Sequence, residues 1–334
     1  MNSLNNPVKP EPDTPDTIKN RSFVERLLGD DLARLETFPF YVNIETVNTC
    51  NARCIMCGID FDNKPTQLID DELFVRITEE LGEWSHHVRK VNLFFDCEPL
   101  IDKKLHKRVK ALKDAGIDTV TIATNASILS AKRSEELIEA GLDEVYISID
   151  SMDPATFESI RVRLSYEDVY ANTVEFIRLR DSFGGPTRIR LQMILQESNK
   201  DEQEPFVHHW REKLSPGDLV VVHKAHNWGG AVNVMNFEED DRINSIPCTS
   251  LWSNAMIHVD GSVALCSVDT VQGSTHVLGN VNDGSLESVW TGPRMQEMRQ
   301  KHLENKRADH PLCNGCTAWR EDKNAIFLEI GKDD

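Results

Sequence analysis

Cys50-Asn51-Ala52-Arg53-Cys54-Ile55-Met56-Cys57 gathers three thiols into eight residues. It directly follows residues 41–47, which are β-branched and alternating and read as a strand. Outward from this loop the chain switches regularly between two periods. Residues 70–84 carry Leu73, Phe74, Ile77, Leu81 and Trp84 at helical spacing behind an Asp70–Asp71 cap. Strands are expected at 91–95, 120–124, 145–150, 188–195 and 219–223. Helices are expected at 103–115, 131–140, from Asp153-Pro154, at 166–183 and at 203–214, several of them closed by Gly116, Gly141 or Gly184-Gly185. Six β/α alternations imply an α/β fold with parallel pairing and right-handed crossovers. They are too few for a closed eight-stranded barrel, so a partial (β/α)6 TIM-like barrel or an open sheet is expected, with ligands at the carboxyl ends of the strands.

The C-x3-C-x2-C spacing suits iron–sulfur or zinc ligation. Structural zinc wants four protein ligands, whereas three cysteines on a four-iron cluster leave one iron open to a substrate or cofactor. A zinc loop borrowing a distant fourth ligand is the alternative. The remaining cysteines are Cys97, alone, and Cys248, Cys266, Cys313 and Cys316, late in the chain. Eight cysteines in 334 residues are not a disulfide scaffold, and in a cytosolic chain such clusters read as metal or redox sites. The net charge of −18 argues against nucleic acid and against an anionic membrane surface. With no spanning apolar run and no signal pattern, a soluble cytoplasmic protein is expected.

A C-x3-C-x2-C loop at the end of the first strand of such a barrel resembles the radical S-adenosylmethionine (SAM) superfamily, over about residues 36–230. The resemblance implies a [4Fe–4S] cluster held by Cys50, Cys54 and Cys57. In the family, SAM chelates the fourth iron through its amine and carboxylate, and reduction yields a 5′-deoxyadenosyl radical that abstracts hydrogen from substrate. It also implies a low-potential electron donor such as flavodoxin or ferredoxin. Met56 matches the apolar position that packs on the adenine. Asp96-Cys97-Glu98-Pro99 stands where the family has Gly-Gly-Glu-Pro, so Glu98 is implied as acceptor for the SAM amine. Thr124-Asn125-Ala126 stands for Thr-Asn-Gly, implicating Asn125. Ser148 and Asp150 match the segment that meets the SAM ribose and carboxylate, and Arg161 an arginine that pairs with that carboxylate. Each match has a plain reading beside it: Met56 is also a buried methionine, Arg161 also a solvated helix arginine.

Residues 231–334 lose the alternation. An Asp260-Gly261 turn is legible, a single helix is expected from Leu286 to Arg299, and Gly261-x4-Cys266, Leu278-Gly279-Asn280 and Cys313-x2-Cys316 resemble a SPASM/twitch extension. The resemblance implies a small C-terminal domain with one auxiliary [4Fe–4S] cluster on Cys248, Cys266, Cys313 and Cys316. Zinc on the same thiolates is the alternative. The domains expected are thus a 1–35 tail with a short helix, a 36–230 core and a 231–334 auxiliary domain. Cys97 reads as a packed strand-end residue or as a hydrogen-atom donor to a substrate radical. His86-His87 and His208-His209 read as solvated, and His223 and His226 as pocket-lining or as a linker.

The activity expected is an oxidoreductase or epimerase acting on a small polar metabolite, a sugar or aminocyclitol, since the first 35 residues form no peptide-recognition domain. Side-chain modification of a peptide or protein is the alternative, and a non-catalytic iron–sulfur or zinc protein the bland one.

Overall fold

The computed structural model describes residues 32–61, 65–228, 232, 247–269, 276–318 and 326–331. The expected tail and the stretch carrying Phe23, Leu27 and Leu28 lie outside them.

Six strands run parallel in chain order: β1 (Tyr41–Ile44), β3 (Lys90–Asn92), β4 (Val120–Thr124), β5 (Glu144–Ser148), β7 (Arg188–Leu195) and β8 (Leu219–Lys224). The helices between them are α2 (Asp71–Glu83), α3 (Leu105–Asp114), α4 (Ala131–Glu139), α5 (Pro154–Ile160), α6 (Tyr166–Ser182) and α7 (Gln203–Arg211), after a leading α1 (Leu32–Thr37). The expected caps close as real hydrogen bonds: Asp70 accepts from the N–H groups of Glu72 and Leu73, and Asp153 from that of Thr156.

Strand alternation divides the sheet. Val42, Ile122, Val145, Ile189, Leu191 and Val220 are fully buried in one core with helix residues such as Leu81, Val109 and Trp210. The alternate positions are polar and meet one another across strands: Asn92 Nδ2 donates to Asn43 Oδ1 at 2.9 Å, Lys90 pairs with Glu144, and the Arg190 guanidinium lies 4.7 Å from the Tyr146 ring centroid. The polar side of β7, legible as Arg188-x-Arg190-x-Gln192, thus joins a polar inner face rather than solvent.

The late segment, where the sequence showed only a turn and a helix, contains further strands. Strand β9 (Asn254–Ile257) pairs parallel with β1, and β10 (Ser262–Ala264) and β11 (Gly279–Asn280) follow antiparallel on that edge. At the far edge β12 (Ile326–Glu329) lies antiparallel on β8. One ten-stranded sheet results, in which both flanks of the six-stranded core are covered and the edges pass to β11 and β12. The Asp260-Gly261 turn is present, with His258 N–H donating to Ser262 O at 2.9 Å and Gly261 at φ 82°. The single helix expected over 286–299 is two: α9 (Leu286–Trp290) and α10 (Pro293–Leu303), after a short α8 (Ser250–Ser253). Pro293 has no N–H to continue the first and opens the second from Gly292, where a Cβ would lie 2.9 Å from Ser288 O. His87 is not solvated: it is buried against Phe40, with Nε2 2.7 Å from Phe38 O.

Candidate active site and cluster-binding loops

The three-cysteine loop is anchored by a two-stranded ribbon that the sequence did not announce. Strand β2 (Arg53–Cys54) pairs antiparallel with β6 (Arg161–Val162), placing Cys54 opposite Arg161, and Ile55 N–H donates to Ile160 O at 3.0 Å. Cys50, Cys54 and Cys57 are half-buried and close enough to repel one another as thiolates. Burial, chiefly, pushes Cys50 up to about 12 and Cys57 up to about 11. Donors already face the sulfurs: Ala52 N–H to Cys50 at 3.4 Å, Asn125 Nδ2 to Cys50 at 3.8 Å, Arg161 Nη1 to Cys54 at 3.7 Å. Converging thiols with donors aimed at sulfur fit an iron–sulfur cluster, whose charge would deprotonate them.

Glu98, buried, sits at the carboxyl end of β3. It accepts from Thr124 Oγ1 at 2.7 Å, Asn125 N–H at 2.7 Å and Leu100 N–H at 3.1 Å. Burial pushes its carboxyl above the ordinary value against those donors. Its own N–H donates to Thr49 O at 3.0 Å, so Glu98 also ties three strand ends to the cysteine loop. Asn125 extends the tie through Asn51 Oδ1 at 2.9 Å. Ala126, where the resembled motif has glycine, holds φ 58°. Asp96 and Cys97, which replace the paired glycines, are not in the left-handed region. Asp150 is fully buried and receives Arg161 Nε at 2.6 Å and Ile194 N–H at 2.8 Å. Burial pulls the Arg161 pKa down, but Asp150 and Cys54 outweigh it and keep the group cationic. Ser148 Oγ accepts from Gln192 Nε2 at 2.9 Å. Met56 packs with Ile160 and Ala225.

The structure therefore brings Glu98, Asn125, Asp150 and Arg161 around the loop. Sequence reasoning missed Asn51, Thr124 and Gln192, which hold them; the polar alternation of β7 was the available signal for Gln192. Cys97 is partly exposed as a residue, but its thiol lies in desolvated surroundings beside Glu45, Glu98 and Asp96, which push it well up and keep it protonated. His223 lies in β8 and His226 follows its end. His226 is pulled down to about 4, chiefly by burial, and accepts the Trp228 N–H through Nδ1 at 3.2 Å.

Cys248, Cys266, Cys313 and Cys316 converge on one half-open cavity of about 320 Å³ that His302 and Arg307 also line. Burial and the neighbouring thiols push Cys266 well up. His302 Nδ1 accepts Cys248 N–H at 3.1 Å. Glu45, Asp96 and His258 form a third group, buried where β1, β3 and β9 end. Their ligand atoms lie within 4.8 Å of one another, and His258 Nδ1 is 3.2 Å from Glu45 Oε2. No described helix is long and apolar enough to cross a membrane.

Comparison with known proteins agrees with this arrangement. The chain matches the radical SAM superfamily over residues 44–202 and an iron–sulfur cluster-binding domain, SPASM, over residues 248–317. A GTP 3′,8-cyclase of Chlorobaculum tepidum is 31% identical over 209 residues, 60% of this chain and 57% of that protein. The mitochondrial GTP 3′,8-cyclase of Arabidopsis thaliana is 31% identical over 59% of this chain and 49% of its own length. The chain spans about half the length of the curated relatives it matches. Two solved structures share the fold. BtrN in complex with AdoMet and 2-DOIA aligns with a TM-score of 0.56 at 18% identity, over 84% of this chain and 93% of that one. Streptococcus suis SuiB bound to precursor peptide SuiA aligns with a TM-score of 0.64 at 14% identity, over 89% and 74%. Each family match falls on a segment where the fold has gathered one group of thiols, and the chain belongs to the radical SAM superfamily: an enzyme that uses SAM and a [4Fe–4S] cluster and carries an auxiliary iron–sulfur cluster in a C-terminal SPASM domain.

Proposed function

We propose that this enzyme abstracts hydrogen from a small polar metabolite, a sugar or aminocyclitol, and oxidises or epimerises it. The observation that carries the reading is the polar inner face of the sheet: its side chains pair with one another, but Asn92 Oδ1 and Arg190 Nε stay buried without a hydrogen-bond partner, an acceptor and a donor that an apolar substrate would leave unpaired. Cys50, Cys54 and Cys57 would hold the first cluster, which with SAM supplies the 5′-deoxyadenosyl radical. Around it, Glu98 would receive the SAM amine, and Arg161, kept cationic by Asp150, would face its carboxylate. Asn125 and Ser148 would take the remaining polar edge, and Met56 the adenine. Cys248, Cys266, Cys313 and Cys316 would hold the auxiliary cluster, and a flavodoxin or ferredoxin would deliver electrons. Cys97, kept as a thiol, is in the state a hydrogen-atom donor needs.

BtrN, whose fold this chain shares, is solved in complex with AdoMet and 2-DOIA. The test incubates reduced, reconstituted enzyme and SAM with aminocyclitols and sugars, with peptides, and with GTP, reading 5′-deoxyadenosine and product mass. A loss of two mass units, or inversion at one carbon, is expected in the first arm alone. Turnover of a peptide instead, as the SuiA complex would suggest, or of GTP, overturns the substrate class. For an epimerised product, solvent deuterium at the inverted carbon, lost in Cys97→Ala, tests the donor role.

A further inference from the structure

We propose that Asn227 and Trp228 form a strap that couples the auxiliary-cluster loop to the SAM-cluster loop, so that loading of one site sets the geometry of the other. The inference rests on the ligand sets proposed above.

The two residues are consecutive, yet they bond to opposite sites. The Trp228 indole Nε1–H donates to Met56 O at 2.8 Å, one residue before Cys57. Its ring lies over Gly58, one residue after Cys57, so closely that a Cβ there would be 2.8 Å from Trp228 Cγ. Asn227 turns the other way. Its Nδ2 donates to Gly315 O at 2.7 Å, its N–H donates to Thr317 Oγ1 at 2.9 Å, and its Oδ1 accepts from Thr317 N–H at 3.0 Å. Gly315 and Thr317 flank Cys316. A proposed ligand in each site is thus bracketed by contacts to one dipeptide.

The backbone carries a second, independent sign. Trp228 sits at φ 50°, a left-handed conformation that a bulky residue adopts only where its surroundings over-determine it. What over-determines it is visible: His226 Nδ1 accepts the Trp228 N–H, the two ring centroids are 4.7 Å apart, and Val232 N–H donates to Asn227 O at 3.1 Å. The strained turn directs the indole to Met56 and the amide to Thr317 at the same time. Relaxing Trp228 to φ < 0 would break one set of contacts or the other.

A strap fixed at both ends transmits order. When the auxiliary cluster fastens Cys316, Asn227 is held, and the Met56–Gly58 segment has fewer arrangements to lose on binding SAM. Such coupling is reciprocal, and its usual size is fivefold or more in affinity. Asn227 and Trp228 are positioning residues here, acting through Thr317 and Met56.

The test is a double-mutant cycle on the full chain, reconstituted without oxygen, with iron content, SAM affinity and the electron paramagnetic resonance spectrum of the reduced SAM-bound cluster as readouts. Cys313→Ala with Cys316→Ala removes the auxiliary cluster. Trp228→Phe keeps the ring over Gly58 and deletes the indole donor, and Asn227→Ala cuts the other end. In the parent chain, loss of the auxiliary cluster is expected to weaken SAM binding at least about fivefold and to shift the spectrum. With either strap variant the same loss is expected to change SAM affinity less than about twofold. Equal effects with and without the strap, or no effect in the parent chain, overturn the proposal, and a strap variant that fails to fold leaves the other to decide. Iron content unchanged by the cysteine pair overturns instead the ligand assignment beneath it.

Discussion

Glu98 accepts three hydrogen bonds from its own chain before SAM arrives, so its neutral isostere has two consequences. In Glu98→Gln one of those donors meets an amide N–H in place of an oxygen, which costs about 1–3 kcal/mol of stability. The charge offered to the SAM amine is lost as well, worth about one to two decades of affinity. A lowered melting temperature together with weakened SAM binding is the expected pair. Unchanged affinity with intact iron content excludes Glu98 as the amine acceptor. The role proposed for this carboxylate was read from Glu98-Pro99; its part as the knot of three strand ends was not, because that depends on where β4 places Thr124 and Asn125.

Helices α9 and α10 are separated by Thr291 and Gly292, and the glycine has no room for a side chain. A Cβ on Gly292 would meet Ser288 O at 2.9 Å and Val289 O at 3.1 Å, both backbone atoms that cannot swing away. Gly292→Ala is therefore expected to cost about 1–3 kcal/mol, read as a melting temperature lower by several degrees. The hairpin of β9 and β10 is held to β1 partly by His258 against Glu45. Burial lowers the His258 pKa, but Glu45, Asp96 and Asp260 outweigh it and the net shift is upward. Its contribution is thus complete below about pH 6.5 and is lost as pH rises through the raised value. His258→Gln should remove that alkaline loss. An unaltered pH slope of the urea midpoint above pH 7 would show that the pair stays neutral.

Across the whole molecule the opposite shift also operates. His226 and His302 are both held down to about 4, chiefly by burial, so they stay neutral while the unfolded chain takes up protons. Each removes up to about 3 kcal/mol of stability as pH falls from about 6.5 to 4. His302→Asn keeps an acceptor for Cys248 N–H and is expected to gain relative to the parent as pH falls. A stability difference that does not vary with pH would contradict a neutral buried imidazole. Iron content speaks for both sites together: the reconstituted chain should carry about eight irons, and Cys313→Ala with Cys316→Ala about four. Eight irons retained would place the second ligand set elsewhere.

The sequence by itself determined the alternation of strands and helices, the parallel sheet and both groups of cysteines. Those signals are local: a period of two or 3.6, a cap, a glycine stop, a fixed spacing of thiols. Only the tertiary structure decided that the late segment shares the barrel's sheet, since the pairing of β9 with β1 joins residues more than two hundred positions apart and leaves no local mark. It likewise decided that β2 and β6 form a ribbon beneath the cysteine loop, that Glu45, Asp96 and His258 meet, and that Trp228 reaches Met56. Each of these is a contact between strand ends or loops, where periodicity falls silent and position is fixed by the packing of everything else.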